Sequence, residues 1–204
     1  ILGENDNKEI VRPQMKQIIK ESNPFAAFLS CKKFMTVTLA ALLALTILQA
    51  LGNTSFDQSS NYYLRDQFGF SSGYNGVIKG ATGIITLLVN STVTMWLIKK
   101  TNIQKSMAWL FMLCCAIMTV TVLVTAPIPF VVSNTLLYAF SSATLPLLQS
   151  TIANYSGGEN RNLILGIYNS MKSLGSIIGA LASGFLYALE PRFPFVFGLL
   201  AYIL

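Results

Sequence analysis

The chain contains no histidine. That absence removes the Ser-His-Asp and Cys-His forms of nucleophilic catalysis and every histidine-ligated metal centre. Charge is the second scarcity. Asp, Glu, Lys and Arg make up 11% of 204 residues, against roughly 25% in soluble domains, too little to solvate a globule of this length. Cysteine is scarce as well. Cys31, Cys114 and Cys115 show neither metal-ligand spacing nor a disulfide framework. Cys114 and Cys115 are neighbours inside an apolar run, where a thiol acts as a small buried hydrophobe. No metal and no cofactor is expected.

What the chain has is apolar residues, 53% of the total, gathered in long runs. Such runs are the signature of membrane spans. Six are expected, at about Phe34–Phe56, Gly76–Ile98, Ser106–Ala126, Phe130–Ala153, Leu163–Leu189 and Pro194–Leu204. The last is too short for the ~20 residues a span needs. The chain also opens on Ile1 with polar residues and no signal peptide. Both ends therefore read as cuts in a longer protein. The expected class is an all-α membrane protein.

The formal net charge of +6 does not point to nucleic acid, because Lys and Arg cluster at the ends of the apolar runs. Residues 1–33 carry Lys8, Arg12, Lys16, Lys20, Lys32 and Lys33 and read as a basic linker. Asn23-Pro24 would start a short interfacial helix within it, with Phe25, Phe28 and Leu29 at headgroup depth. This linker, the Lys99–Lys105 loop and the Arg161 loop fall on one side of the alternating layout. They hold six, three and one of the fourteen basic residues, while the other side holds Arg65 and Arg192. The positive-inside rule makes the basic side cytoplasmic.

The spans differ in kind. The third, MAWLFMLCCAIMTVTVLV, has no Gly, Pro or charge and suits a lipid-facing helix. The first carries Thr46, Gln49, Asn53 and Asp57 on one face. The fourth carries Asn134, Tyr138, Ser141 or Ser142 and Gln149, with Pro146 as a kink. Polar stripes in hydrocarbon must face protein or a water-filled cavity, and both readings stand. The second and fifth spans carry small-residue stripes, Gly76, Gly80 and Gly83, then Gly175, Gly179 and Gly184, which let helix backbones approach closely. Two lysines lie within spans. Lys79 is about a turn from the outer end and can snorkel. Lys172 lies roughly 16 Å from Arg161 along the helix. That depth is costly for a charge. It implies either a substrate or coupling role or a structural carboxylate partner.

The order polar, glycine-rich, apolar, then polar, glycine-rich, truncated resembles one half of the major facilitator superfamily. The family's two six-helix halves are joined by a basic cytoplasmic linker, and the likeness would cover the linker and helices seven to twelve. Gly175-Ser-Ile-Ile-Gly179-Ala-Leu-Ala-Ser-Gly184 is similar to the family's gxxxGPxxGG pattern, with Ala180 in place of Pro and Ser183 in place of one Gly. Tyr168-Asn169-Ser170 and Leu174-Gly175 resemble helix eleven of the drug:proton antiporter branch. Leu97-Ile-Lys-Lys100-Thr-Asn102 resembles the GxLaDrxGrk loop, with Lys99 where the motif has Asp.

The resemblance implies alternating access between the two halves, with protons as coupling ion and a small molecule as substrate. On that footing Gln49, Asn53, Asn134, Tyr138 and Gln149 would contact substrate. Asp57, Lys172 and Lys100 would be coupling or gating groups. Gly76, Gly80, Gly175, Gly179 and Gly184 would pack on the other half. With Asp57 read at the outer end of its span, the coupling carboxylate is expected in the N-terminal half. A proton-coupled exporter of drug-like amphiphiles in the cell membrane leads, mildly favoured by Phe56, Tyr138 and Leu145. A symporter of sugars or other small polar nutrients is the alternative. A membrane-embedded enzyme is the remote third, disfavoured by the missing histidine and the lack of paired carboxylates within a span.

Overall fold

The computed structural model describes residues 36–100, 102–155 and 161–204. The linker expected over residues 1–33 lies outside them, and so does the side chain of Lys100. Regular structure among the described residues is entirely helical. α1 is Val37–Asp66, and α2 is Ser72–Val89. A π turn at Asn90–Thr94 joins α2 to α3, Met95–Lys100. α4 (Ile103–Leu123), α5 (Pro127–Tyr155), α6 (Arg161–Leu189) and α7 (Phe193–Ile203) follow. Five of these helical stretches are long and apolar enough to cross a membrane, the second being Ser72–Leu97. Helices satisfy every backbone polar group internally, which hydrocarbon demands.

Local chemistry sets the helix ends. Thr36 caps α1, its hydroxyl accepting from the Leu39 amide at 3.2 Å. Ser71 and Asn102 cap α2 and α4 in the same way, satisfying amides that lack an intrahelical partner. The chain leaves α1 at Gly69, whose φ of 67° lies in the left-handed region, and the Phe70 amide reaches back to the Leu64 carbonyl. Pro127 opens α5, and Pro194 lies in the first turn of α7.

One boundary differs from the expected layout. α1 runs past Phe56 and continues to Asp66. The polar residues after Phe56 have protein partners. Ser59, Ser60 and Tyr63 are buried. The Ser60 hydroxyl is shared between the Phe56 carbonyl at 2.8 Å and Asn134 Oδ1 at 3.1 Å. Tyr63 stacks on Phe130 with ring centroids 5.0 Å apart, and Phe56 meets Phe195 edge-on at 4.9 Å. This aromatic cluster joins α1, α5 and α7 at one end of the bundle.

α1 packs most extensively on α6 and α7, and glycines set its approach to both. A Cβ on Gly175 would lie 2.4 Å from the Ile47 carbonyl oxygen, and one on Gly179 2.4 Å from that of Leu51. Gly52 and Gly198 face each other where α1 crosses α7. Gly175 and Gly179 are both buried against α1 of the same bundle. Gly76, Gly80 and Gly184 have nothing within 4 Å of a built Cβ and face outward. The second helix stretch and α6 carry the most exposed apolar surface, including Val77, Ile84, Leu87, Leu181 and Phe185.

Candidate functional site

Three helices bring one ion pair together. The Lys79 ammonium on α2 donates to the Asp57 carboxylate on α1 at 2.5 Å. It also donates to the Tyr138 hydroxyl on α5 at 3.0 Å. The Tyr138 hydroxyl donates in turn to Asp57. The same ammonium sits 4.4 Å from the centroid of the Tyr138 ring, a cation–π distance. Lys79 thus has a carboxylate to pair with, which replaces the snorkelling expected of it. A charge without a counter-charge is costly in a membrane helix, and the pairing with Asp57 offsets part of that cost. The correction to α1 matters here. Asp57 lies more than two turns before the helix end at Asp66.

The pair borders a hollow of about 250 Å³. Asp57 and Tyr138 form part of its wall. Asn53, Thr54, Thr86, Ser141, Ser142 and Leu145 complete it. The wall therefore offers one carboxylate, one amide, several hydroxyls, an aromatic ring and an aliphatic side chain. Beside it, Asn90 at the π turn donates to the Ser142 hydroxyl at 3.1 Å. Ser142 stands one turn before Pro146, where the missing amide interrupts the helix ladder. π turns inside α-helices frequently mark functional positions.

The residues singled out in the sequence divide around this hollow. Asn53 and Tyr138 line it, and Asp57 carries its charge. Asn53 also accepts from the Tyr202 hydroxyl at 2.7 Å. Gln49 and Asn134 do not line it. They are 1% and 2% exposed. Gln49 donates to the Thr144 hydroxyl, and Asn134 accepts from Ser60. Both side chains make interhelical hydrogen bonds, the other reading of the polar stripe. Gln149 is exposed on α5 outside the hollow's lining. Lys172 is half-buried on α6, without an ion pair among the described residues. Its neighbours Asn169, Ser170 and Ser173 border a second, shallower hollow. Sequence reasoning missed the Lys79 pairing. The signal was a lone lysine in an apolar run, with Asp57 as a carboxylate between the first two spans.

Apolar helices long enough to span, packed around a polar hollow and an internal ion pair, fit a multi-pass membrane protein. The profile of the Major Facilitator Superfamily matches residues 42–204. The chain belongs to that family and is a membrane transporter, with the helices of half a major facilitator fold. No curated protein matches it.

Proposed function

We propose that the chain is the C-terminal half of a proton-coupled exporter of drug-like amphiphilic compounds, working by alternating access in the cell membrane with its basic linker cytoplasmic. The observation that carries this reading is the hollow walled by α1, α2 and α5, where one titratable carboxylate lies beside both polar and apolar side chains. Such a wall suits a solute with an apolar body and a polar head. The outward-facing Gly76, Gly80 and Gly184, on helices whose apolar faces are exposed, support a second six-helix half as partner. Asp57 is the coupling group in this reading. Protonation removes the charge that holds Lys79, so taking up a proton loosens α2 from α1 and α5. Lys172 faces the partner half, and Lys100 belongs to the cytoplasmic loop gate.

The test is transport by the full-length protein in proteoliposomes. A proton gradient is expected to drive labelled amphiphile out against its concentration gradient. Asp57→Asn is expected to abolish the driven component and keep downhill exchange. Full proton-driven transport by Asp57→Asn would overturn the coupling role. Accumulation in the uptake direction would favour a nutrient symporter.

A further inference from the structure

The site holds a feature that the exporter reading leaves unused. The Lys79 ammonium rests against a carboxylate and over an aromatic face at once. That is the chemistry by which proteins recognise organic ammonium ions. We infer that Asp57 and Tyr138 form a seat for an organic cation, and that Lys79 is its built-in occupant, displaced when a cationic substrate binds. This deepens the exporter reading and rests on it, naming the charge of the substrate and the residue that competes with it.

Three observations support displacement over a fixed structural pair. First, the pair is open. Within this half the Lys79 and Asp57 side chains are 35% and 40% exposed, so the packing of α1, α2 and α5 leaves room for a third group beside the pair. Second, Lys79 can leave. Its four-carbon stem is flexible and ends in a compact ammonium that can turn to a new partner. Third, there is somewhere for the rest of the ligand to go. The adjoining hollow of about 250 Å³ offers Leu145, Thr86 and the Tyr138 ring to an apolar body. A substrate cation neutralises Asp57 in place of Lys79, and the displaced ammonium keeps its charge, which its long stem can carry out to water.

An internal occupant lowers apparent affinity by the fraction of time the seat is free. If the seat is free about a tenth of the time, removing the occupant tightens binding about ten-fold. The experiment measures binding of benzyltrimethylammonium, a permanent cation, to the purified full-length protein. Its uncharged carbon isostere, neopentylbenzene, is measured alongside. Lys79→Met, which keeps length and drops charge, is expected to bind the cation about ten-fold tighter than wild type. Lys79→Gln serves the same purpose should the Met variant not be monodisperse. Lys79→Arg keeps an occupant and is expected to gain no affinity. Asp57→Asn is expected to lose cation binding, and Tyr138→Leu to weaken it several-fold more than Tyr138→Phe. The isostere is expected to be indifferent to the charge at position 79. The inference is overturned if both neutral variants bind the cation no tighter than wild type, or if the isostere gains as much. Proton-driven flux by wild type is scored separately. Absent flux with the binding pattern intact sinks the exporter reading and leaves the seat. Flux with no gain on removing Lys79 sinks the seat alone.

Discussion

Asp57, Lys79 and Tyr138 come from three helices and meet at one point. Each removal leaves the other two in a poorer environment. A lone Lys79→Met leaves Asp57 without its cation, and a lone Asp57→Asn leaves Lys79 without its anion, whereas the double variant leaves neither charge behind. The two side chains are over a third exposed, so solvent screens the pair. The expected coupling in a double-mutant cycle is about 1 kcal/mol, read from unfolding of the full-length protein in detergent. Strict additivity would contradict the pairing. Gln49 and Asn134 give a contrasting prediction. Because both are buried in interhelical hydrogen bonds, Gln49→Leu and Asn134→Leu should lower the melting temperature, by about 1–3 kcal/mol of stability, and leave substrate affinity within about two-fold. A large loss of affinity at unchanged stability would return them to the binding site. The polarity and helical spacing of these residues are legible in the sequence. Their partners are not, because periodicity names a face and leaves open which residue of which helix lies opposite. Lys79 and Asp57 stand 22 positions apart, and Tyr138 a further 59 from Lys79.

At the scale of the helix, the backbone contacts of α1 are the most restrictive feature. Gly175→Ala would gain about 1 kcal/mol of intrinsic helix propensity. The added Cβ, however, would sit 2.4 Å from the Ile47 carbonyl oxygen, and overpacking of that kind costs about 1–3 kcal/mol or more. The clash wins, so Gly175→Ala and Gly179→Ala should destabilise the protein. Gly80→Ala and Gly184→Ala meet nothing within this half, so any loss they cause in the full-length protein reports packing against the second half. Thermal unfolding of the full-length variants decides the matter, and unchanged stability in Gly175→Ala and Gly179→Ala would contradict the α1–α6 contact. The glycine stripe on α6 is visible in the sequence, yet small spacing alone cannot say whether a stripe meets its own half or another. Gly52 and Gly198, each isolated in its run, gave no pattern to read, although they meet at the α1–α7 crossing. The continuation of α1 to Asp66 was hidden for a related reason. Hydropathy reads Asp57, Ser59, Ser60 and Asn61 as a connection, while aromatic packing and protein hydrogen bonds keep them helical.

For the molecule as a whole, the class was plain from composition: little charge, long apolar runs and alternating basic loops belong to a helical membrane protein. The family match over residues 42–204 agrees with that architecture. The central claim is that the hollow beside Asp57 opens to the two sides of the membrane in turn. Thr86 lines it from α2 and can carry a probe. In the full-length protein, with Cys31, Cys114 and Cys115 replaced, Thr86→Cys is exposed to a membrane-impermeant thiol reagent from each side of sealed vesicles. Labelling is expected from both sides, with the balance between them shifting when substrate or a proton gradient is added. Labelling from one side alone under every condition, or from neither, would contradict alternating access at this site.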